Sequence, residues 1–417
     1  MRYSQKTASR NELLLAIITF IIPTIGILAG LAATWMIIIF LLFSLLMIKR
    51  QIESWAWLSE IKLELVFLLW AGASAIWSID TVSSIISFAR ISAIILVGMF
   101  VKHNIGLLES YYPKIQRTLI AGTVTAIMLF FIEYYLNGAL SKSYRGIFQD
   151  QQEALFYFYM LDRGCALLSI TAWVVIGILL NEHKYFIATI FYSLIFSVLL
   201  ASDSLASFVA FAAAGLVFLL GRLVSIKILK LVSIFMIIGS LMMPVFAYLG
   251  NPSELAEKFT FLPYSAKHRL FIWNHIAKKS EDHLLLGIGI NSSRMVSLTD
   301  SETTIYNNNQ WSLLPLHPHN NVLQILFELG VVGLILFLAL VYKTAAAIKK
   351  ISKKHKNYAL VSYACFINYY VIGMISYSIW QSWWVCSGIW VAIMMKWMLN
   401  RGAVGDLVEP GEISSPT

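Results

Sequence analysis

The residues best suited to chemistry stand at the edge of a long apolar run, in "LHPHNNVLQILFELGVVG" at 316–333. His317 and His319 lie there beside Asn320 and Asn321. Imidazole is the side chain whose ordinary pKa lies nearest neutrality, so it can act as a general base or acid. Asn320 suits the N-cap of the helix predicted from about Val322. His319 therefore falls just before a helix N-terminus, whose partial positive charge disfavours imidazolium and leaves a neutral, proton-accepting ring. Pro318 fixes the preceding backbone and keeps the helix from starting earlier. The competing reading is a loop histidine that only satisfies a local or headgroup contact.

Arginines give the second signal. Arg90 in "FARIS" falls a turn or two inside the outer surface, and "YMLDRGCALLS" places Asp162 and Arg163 in a predicted span. Arg269 lies in "SAKHRLFIWNHIAKKSEDH", where Leu270, Ile272, Trp273 and Ile276 recur near helical spacing and Ser265 can act as N-cap. Arg269 and Trp273 are four apart and share a face. Charges at membrane depth line a cavity or pair with one another. The planar guanidinium fork suits phosphate, so the functional expectation is that Arg90, Arg163 and Arg269 converge on an anion. The structural alternative is an Asp162–Arg163 ion pair. Next comes "LLLGIGINSSR", ending in Arg294, where Gly287 and Gly289 permit a turn or close approach. The polar "TDSETTIYNNNQWS" is expected to be the mobile part of this segment.

Other residues argue against other chemistries. His268, His275 and His283 lack the short spacings of a metal site, and no DxD or Gly-rich phosphate cradle occurs on the outer side. No metal, nucleotide or other cofactor is expected. Cys165, Cys365 and Cys386 lack ligand spacing and are expected to be buried small hydrophobes. The four tryptophans of "SIWQSWWVCSGIW" suggest an interfacial aromatic belt, with sugar stacking as the weaker reading.

The elements that must position these groups are membrane helices. The chain of 417 residues is 59% hydrophobic and 13% charged, against about 25% charged in soluble domains. About twelve spans are expected, near 12–30, 31–48, 63–79, 84–101, 117–137, 154–180, 185–201, 204–220, 231–249, 321–342, 358–378 and 384–400. The first is read as a retained span rather than a signal peptide. The net charge of +9 does not indicate a nucleic-acid partner, because Lys and Arg concentrate on one side, with six lysines in "KTAAAIKKISKKHK" at 343–356. That bias sets this side, and both termini, in the cytoplasm. The expected organisation is a bundle of about nine spans over 1–249, a large outer loop over 250–320, about three spans over 321–400 and a cytoplasmic tail over 401–417. The outer loop is too long for a mere connector, and its six basic and six acidic residues nearly cancel. A smaller outer loop is expected at 138–153.

His319–Asn320, nine residues, Gly330, two residues and Gly333 resemble the H-[NSQ]-x9-G-x-x-G signature of bacterial O-antigen ligases, within the Wzy-type superfamily of membrane glycosyltransferases. "SAKHRLFIWNHIAKK" followed by "LLLGIGINSSR" resembles the family's loop-helix motif, and "LDRG" and "IWQSWW" resemble motifs of alphaproteobacterial ligase-like members. The resemblance covers roughly 150–390 and implies an all-α, GT-C-like integral membrane protein with one large periplasmic loop containing helices. Such ligases work in the bacterial inner membrane without metal or nucleotide. They move a polysaccharide from undecaprenyl diphosphate to a sugar hydroxyl of lipid A core at the periplasmic face. The family's essential histidine falls on His319 and its loop arginine, held to grip diphosphate, on Arg269. A second family arginine lies in a Thr/Ser-x-Ser/Thr-Arg-Ala run; here "SDSLAS" puts Leu205 at that place, and Arg163 is the expected substitute. Asn320, His317, Trp273, Arg294, Gly330 and Gly333 are read as supporting residues. The alternatives are an O-antigen or exopolysaccharide polymerase, a protein O-oligosaccharyltransferase and a lipid-linked sugar transporter. A single dominant loop favours ligase over polymerase, and the absence of repeated halves disfavours the transporter.

Overall fold

In a bilayer an apolar segment can satisfy its backbone only internally, so such runs fold as helices. The computed structural model describes residues 2–49, 55–146, 158–299 and 302–405. The expected tail beyond residue 405, residues 147–153 of the smaller outer loop and residues 154–157 of one expected span lie outside the described residues. The first half of the chain carries α1 (Arg2–Leu28), α2 (Gly30–Ile48), α3 (Trp57–Glu60), α4 (Lys62–Ala73), α5 (Thr81–Asn104), α6 (Tyr112–Tyr135) and α7 (Ala139–Gly146). Then come α8 (Asp162–Asn181), α9 (Tyr185–Ala201), α10 (Leu205–Leu223) and α11 (Ile228–Leu249). The large loop holds α12 (Pro252–Lys258), α13 (Tyr264–Lys279), α14 (Ser293–Thr299) and a hairpin of β1 (Thr303–Tyr306) and β2 (Asn309–Ser312). Three long helices close the chain: α15 (Asn321–Ile351), α16 (Lys356–Ile375) and α17 (Ser382–Gly405).

Among the described residues nine stretches are long and apolar enough to cross a membrane, and one of them, 81–135, contains both α5 and α6. The chain is an all-α multi-pass membrane protein apart from its one hairpin. Each expected span meets a helix, but two of these helices fall outside the nine stretches: α9, with 17 residues, and α4. α4 has only 12 residues, about 18 Å at ~1.5 Å per residue, short of the ~30 Å hydrocarbon core. The polar groups that follow the helix bond the large loop. Ser74 Oγ accepts the Ile290 N–H at 3.0 Å, and the Ser78 and Ser292 hydroxyls pair at 2.8 Å.

α8 is the axis of the bundle. Every residue from Gly164 to Leu179 is buried, enclosed by α1, α6, α9, α10, α16 and α17. One of its polar positions is met from α16, where Asn368 Nδ2 donates to Ser169 Oγ at 3.0 Å, while Thr171 Oγ1 and Trp173 Nε1 are buried without a hydrogen-bond partner among the described residues. The three cysteines are buried and unpaired. The tryptophans of 380–390 are core residues and not a lipid-facing belt: Trp380, Trp383, Trp384 and Trp390 are all buried. Ring packing explains this, since Trp384 stacks on Tyr369 at 4.3 Å and Trp380 on Phe67 at 6.2 Å.

Of the stretch expected to be the mobile part of the large loop, residues 300–301 lie outside the described residues and 303–312 form the hairpin. Asn307 and Asn308 have φ of 48° and 59°, the two left-handed residues of a tight hairpin turn. Tyr306 and Trp311 point inward and pack on Phe271 of α13. α13 starts one residue before Ser265. Pro263 is its N-cap, and the Pro263 carbonyl accepts from the Ala266 and Lys267 N–H groups.

α15 is broken at Gly330, which has φ 67° and ψ −169°. The break denies partners to the carbonyls just before it, and the segment 284–289 supplies them. Ile288 N–H donates to Phe327 O at 3.1 Å and Gly289 N–H to Glu328 O at 2.8 Å, while Val331 N–H donates to Leu284 O at 2.8 Å. Trp70 Nε1 completes the set on Leu329 O at 3.0 Å. A Cβ on Gly330 would stand 2.1 Å from Leu285 O. Gly330→Ala should therefore lower the stability of purified protein by at least ~2 kcal/mol, combining strained φ with displacement of Leu285. An unchanged melting temperature would show that the interlock is not needed.

Candidate active site

His319 has φ of 54°, in the left-handed region that side chains disfavour by roughly 1–2 kcal/mol. Such a conformation persists where neighbours over-determine it. Trp273 Nε1 on α13 donates to Pro318 O at 3.1 Å. Asn320 Nδ2 donates to Met374 O at 3.0 Å, while its Oδ1 accepts from Leu323 N–H at 3.0 Å and caps α15. His319 N–H donates to His317 Nδ1 at 3.2 Å, and the two rings lie 4.2 Å apart. The loop is thus pinned by α13, by the end of α16 and by its own helix.

The decisive bond runs from His319 Nδ1 to Ser376 O at 2.6 Å. A carbonyl only accepts, so Nδ1 carries the proton and Nε2 keeps its lone pair. Burial, with Arg269's charge adding to it, holds the His319 pKa down to about 4 against the opposing effect of the Ser376 carbonyl. Burial, then His319 and Arg269, hold His317 down to about 3. The helix N-terminus suggested the right direction, but desolvation is the larger cause.

Arg269 is half-buried on α13, within electrostatic reach of both histidines, Asp162 and Tyr377. Burial pulls its pKa below the usual range, Asp162 and Tyr377 oppose that, and a guanidinium remains a cation throughout. α13 is held from the other side by the hairpin, where His268 Nε2 donates to Ser312 O at 2.7 Å and Lys279 pairs with Glu302 at 2.9 Å.

Asp162, at the start of α8, has a buried Oδ1 without a hydrogen-bond partner. Its charged neighbours are Asp203, Arg269 and Arg163. Among the described residues no ion pair within 4 Å joins Asp162 to Arg163. Arg163 is exposed and shares Asp162 as neighbour with Arg269, so the structure brings these two arginines to one carboxylate. Leu205 begins α10 beside Ser204 and Asp203, near the same carboxylate. Arg90 is exposed on α5, one turn past Ser87, which accepts from Asn291 Nδ2 at 2.9 Å. Arg294 is exposed on α14. Among the described residues neither Arg90 nor Arg294 makes a hydrogen bond or ion pair to His319, His317 or Arg269. Gly330 forms the helix break, and a Cβ on Gly333 would meet Leu329 Cβ at 2.2 Å. Among the described residues no group of three or more His, Cys, Asp or Glu is placed to hold a metal ion.

Two residues escaped the sequence reading. Tyr377 follows the Ser376 acceptor and lies near Asp162 and Arg163. Glu328 is fully buried and accepts from Asn291 N–H at 2.8 Å, Ser293 N–H at 3.2 Å, Gln324 Nε2 at 3.1 Å and Trp380 Nε1. It ties the 284–293 segment to the 376–381 segment that receives His319. A glutamate amid the apolar run of α15 was the available signal.

The family model described as "O-Antigen ligase" matches residues 188–338. A protein of Rickettsia bellii (strain RML369-C), named "Putative polysaccharide ligase", is 42% identical over 412 residues, covering 93% of this chain and 98% of that protein. One of the same name from Rickettsia felis is 42% identical over 417 residues, covering 95% and 100%.

The neutral histidines have a measurable consequence. In the unfolded chain both protonate near 6.5, and in the folded chain only near 4 and 3. Across that window the unfolded state binds more protons, so stability falls as pH drops from about 6.5 toward about 4. His317→Gln removes one of the two groups. Its melting temperature should fall less steeply with acidification than that of the parent chain, and equal slopes would reject a neutral, buried His317.

Proposed function

Because the chain belongs to the O-antigen ligase family, we propose that it moves a polysaccharide from undecaprenyl diphosphate to a sugar hydroxyl of lipid A core. The reaction takes place at the periplasmic face of the bacterial inner membrane, with both termini in the cytoplasm. The observation that carries this reading is the His319 Nδ1–Ser376 carbonyl bond, which leaves Nε2 as a proton acceptor beside Arg269.

The acceptor hydroxyl is a weak nucleophile. His319 Nε2 takes its proton as the oxygen attacks the anomeric carbon. The carbon–oxygen bond to the diphosphate breaks in the same displacement, which inverts the anomeric centre. Charge develops on the departing diphosphate, and Arg269 stabilises it with hydrogen bonds fixed in advance. Arg163 supplies the second cation, in place of the arginine that Leu205 replaces, and Arg90 joins them at the outer end of α5. Asp162 offsets part of Arg269's charge through space until the donor arrives. Asn320 and Trp273 fix the loop, and His317 supports His319 through its backbone. This route uses no metal, nucleotide or other cofactor, and each lipid-linked substrate keeps its tail in the surrounding membrane.

Purified protein mixed with lipid-diphosphate polysaccharide and lipid A core should attach polysaccharide to the core. Lengthening of the donor instead would identify a polymerase. His319→Ala should lower the rate by about 10²–10⁴-fold while leaving folded protein in the membrane; full activity would falsify the base assignment. The acid limb of the parent rate should lie near pH 4 rather than near 6.5, because the base stays unprotonated to about 4.

Arg269→Ala should lose donor binding or turnover, and Arg269→Lys should recover only part, because a point charge cannot replace the fork. Arg163→Ala should raise the donor KM in a folded protein. A variant that merely fails to fold would assign Arg163 to the bundle's structure instead.

A further inference from the structure

Three helices have one end at the histidine site and the other at a common cavity. α8 runs from Asp162 to Asn181, α16 from Lys356 to the residue before Ser376, and α17 begins just after Gln381 and passes Leu399. α16 has 20 residues, so the two ends stand about 30 Å apart at ~1.5 Å per residue. The cavity at the far end has a volume of about 510 Å³, within the ~300–1,000 Å³ of small-ligand sites.

Its lining is divided. Met398 and Leu399 give it an apolar side at the end of α17, while Lys354, Lys356 and His183 give it a basic one. The lining carboxylate, Glu182, is already engaged by Lys184 at 2.7 Å and by Gln116 Nε2. Among the described residues no carboxylate lies within 4 Å of Lys354 or Lys356. Two uncompensated lysines beside apolar helix ends match an amphiphile with an anionic phosphate headgroup. The lysine cluster of 343–356, which the sequence marks as an orientation signal, is therefore split: Lys354 and Lys356 line the cavity, and Lys349 and Lys350 do not.

We propose that this cavity is a binding site for the phosphate headgroup of an anionic phospholipid from the surrounding bilayer, on the opposite end of the bundle from His319. It is separate from the donor site, and its occupancy does not depend on the chemistry proposed for His319.

The test is native mass spectrometry of the purified full chain titrated with phosphatidylglycerol, phosphatidylethanolamine or inorganic phosphate. Phosphatidylglycerol should bind at least about tenfold more tightly than phosphatidylethanolamine. The double variant Lys354→Ala/Lys356→Ala should weaken phosphatidylglycerol binding about ten- to thirtyfold, and Lys349→Ala/Lys350→Ala less than twofold. Equal losses in the two doubles would overturn the site in favour of diffuse surface charge. Inorganic phosphate that displaces the lipid at equal concentration would assign the cavity to a free anion. Lipid binding that emerges only after deletion of residues 406–417, which carry Asp406, Glu409 and Glu412, would assign it to the chain's own acidic end.

Discussion

The structure depends on how a membrane helix can be interrupted. α15 stops and restarts at Gly330, nine residues into a stretch otherwise long enough to span a bilayer. Each carbonyl the break orphans would cost several kcal/mol in hydrocarbon, where no water can replace the lost donor. The segment 284–289 meets that demand with its own N–H groups, and Trp70 adds an indole. The large loop is thereby threaded into the bundle instead of lying over it. Its helix α13, which carries Arg269 and Trp273, is placed by the same threading.

That placement brings a cation against two imidazoles without protonating them. Burial and the Arg269 charge act in the same direction on His319, and the Ser376 carbonyl acts against both. The carbonyl does not restore the proton to Nε2; it fixes which nitrogen has one. Neutrality and ring orientation come from two different parts of the fold: the enclosed loop provides the first and the end of α16 the second.

The helical bundle was legible because twenty-residue apolar runs leave few alternatives. The site was legible where a local rule and a motif agreed. Asn320 reads as an N-cap from its type and position, and it is one. Gly330 and Gly333 stand in a motif, and their backbone roles emerge only with the neighbours that a Cβ would strike. Other features depended on long-range packing that local patterns do not encode. "TIYNNNQWS" looks like polar filler, yet Asn307 and Asn308 form a hairpin turn once α13 offers an aromatic face to Tyr306 and Trp311. The tryptophans near 380 resemble a membrane-surface belt by spacing, yet ring stacking and the Glu328 carboxylate draw them inward. Glu328 itself was passed over because a single glutamate in an apolar run has no signature until its donors are in place.

The four donors on Glu328 also bear on the order of assembly. Asn291, Ser293 and Gln324 precede it in the chain, so they have already been synthesised when α15 enters the membrane. Trp380 follows it by 52 residues, beyond the whole of α16. During biogenesis the carboxylate therefore settles in two stages, first with the loop and later with the returning α16–α17 pair. The second stage also delivers the Ser376 and Met374 carbonyls to His319 and Asn320. The His319 ring is thus oriented only once α16 and α17 are in place, and a chain inserted only as far as α15 holds the histidine without the bond that orients it.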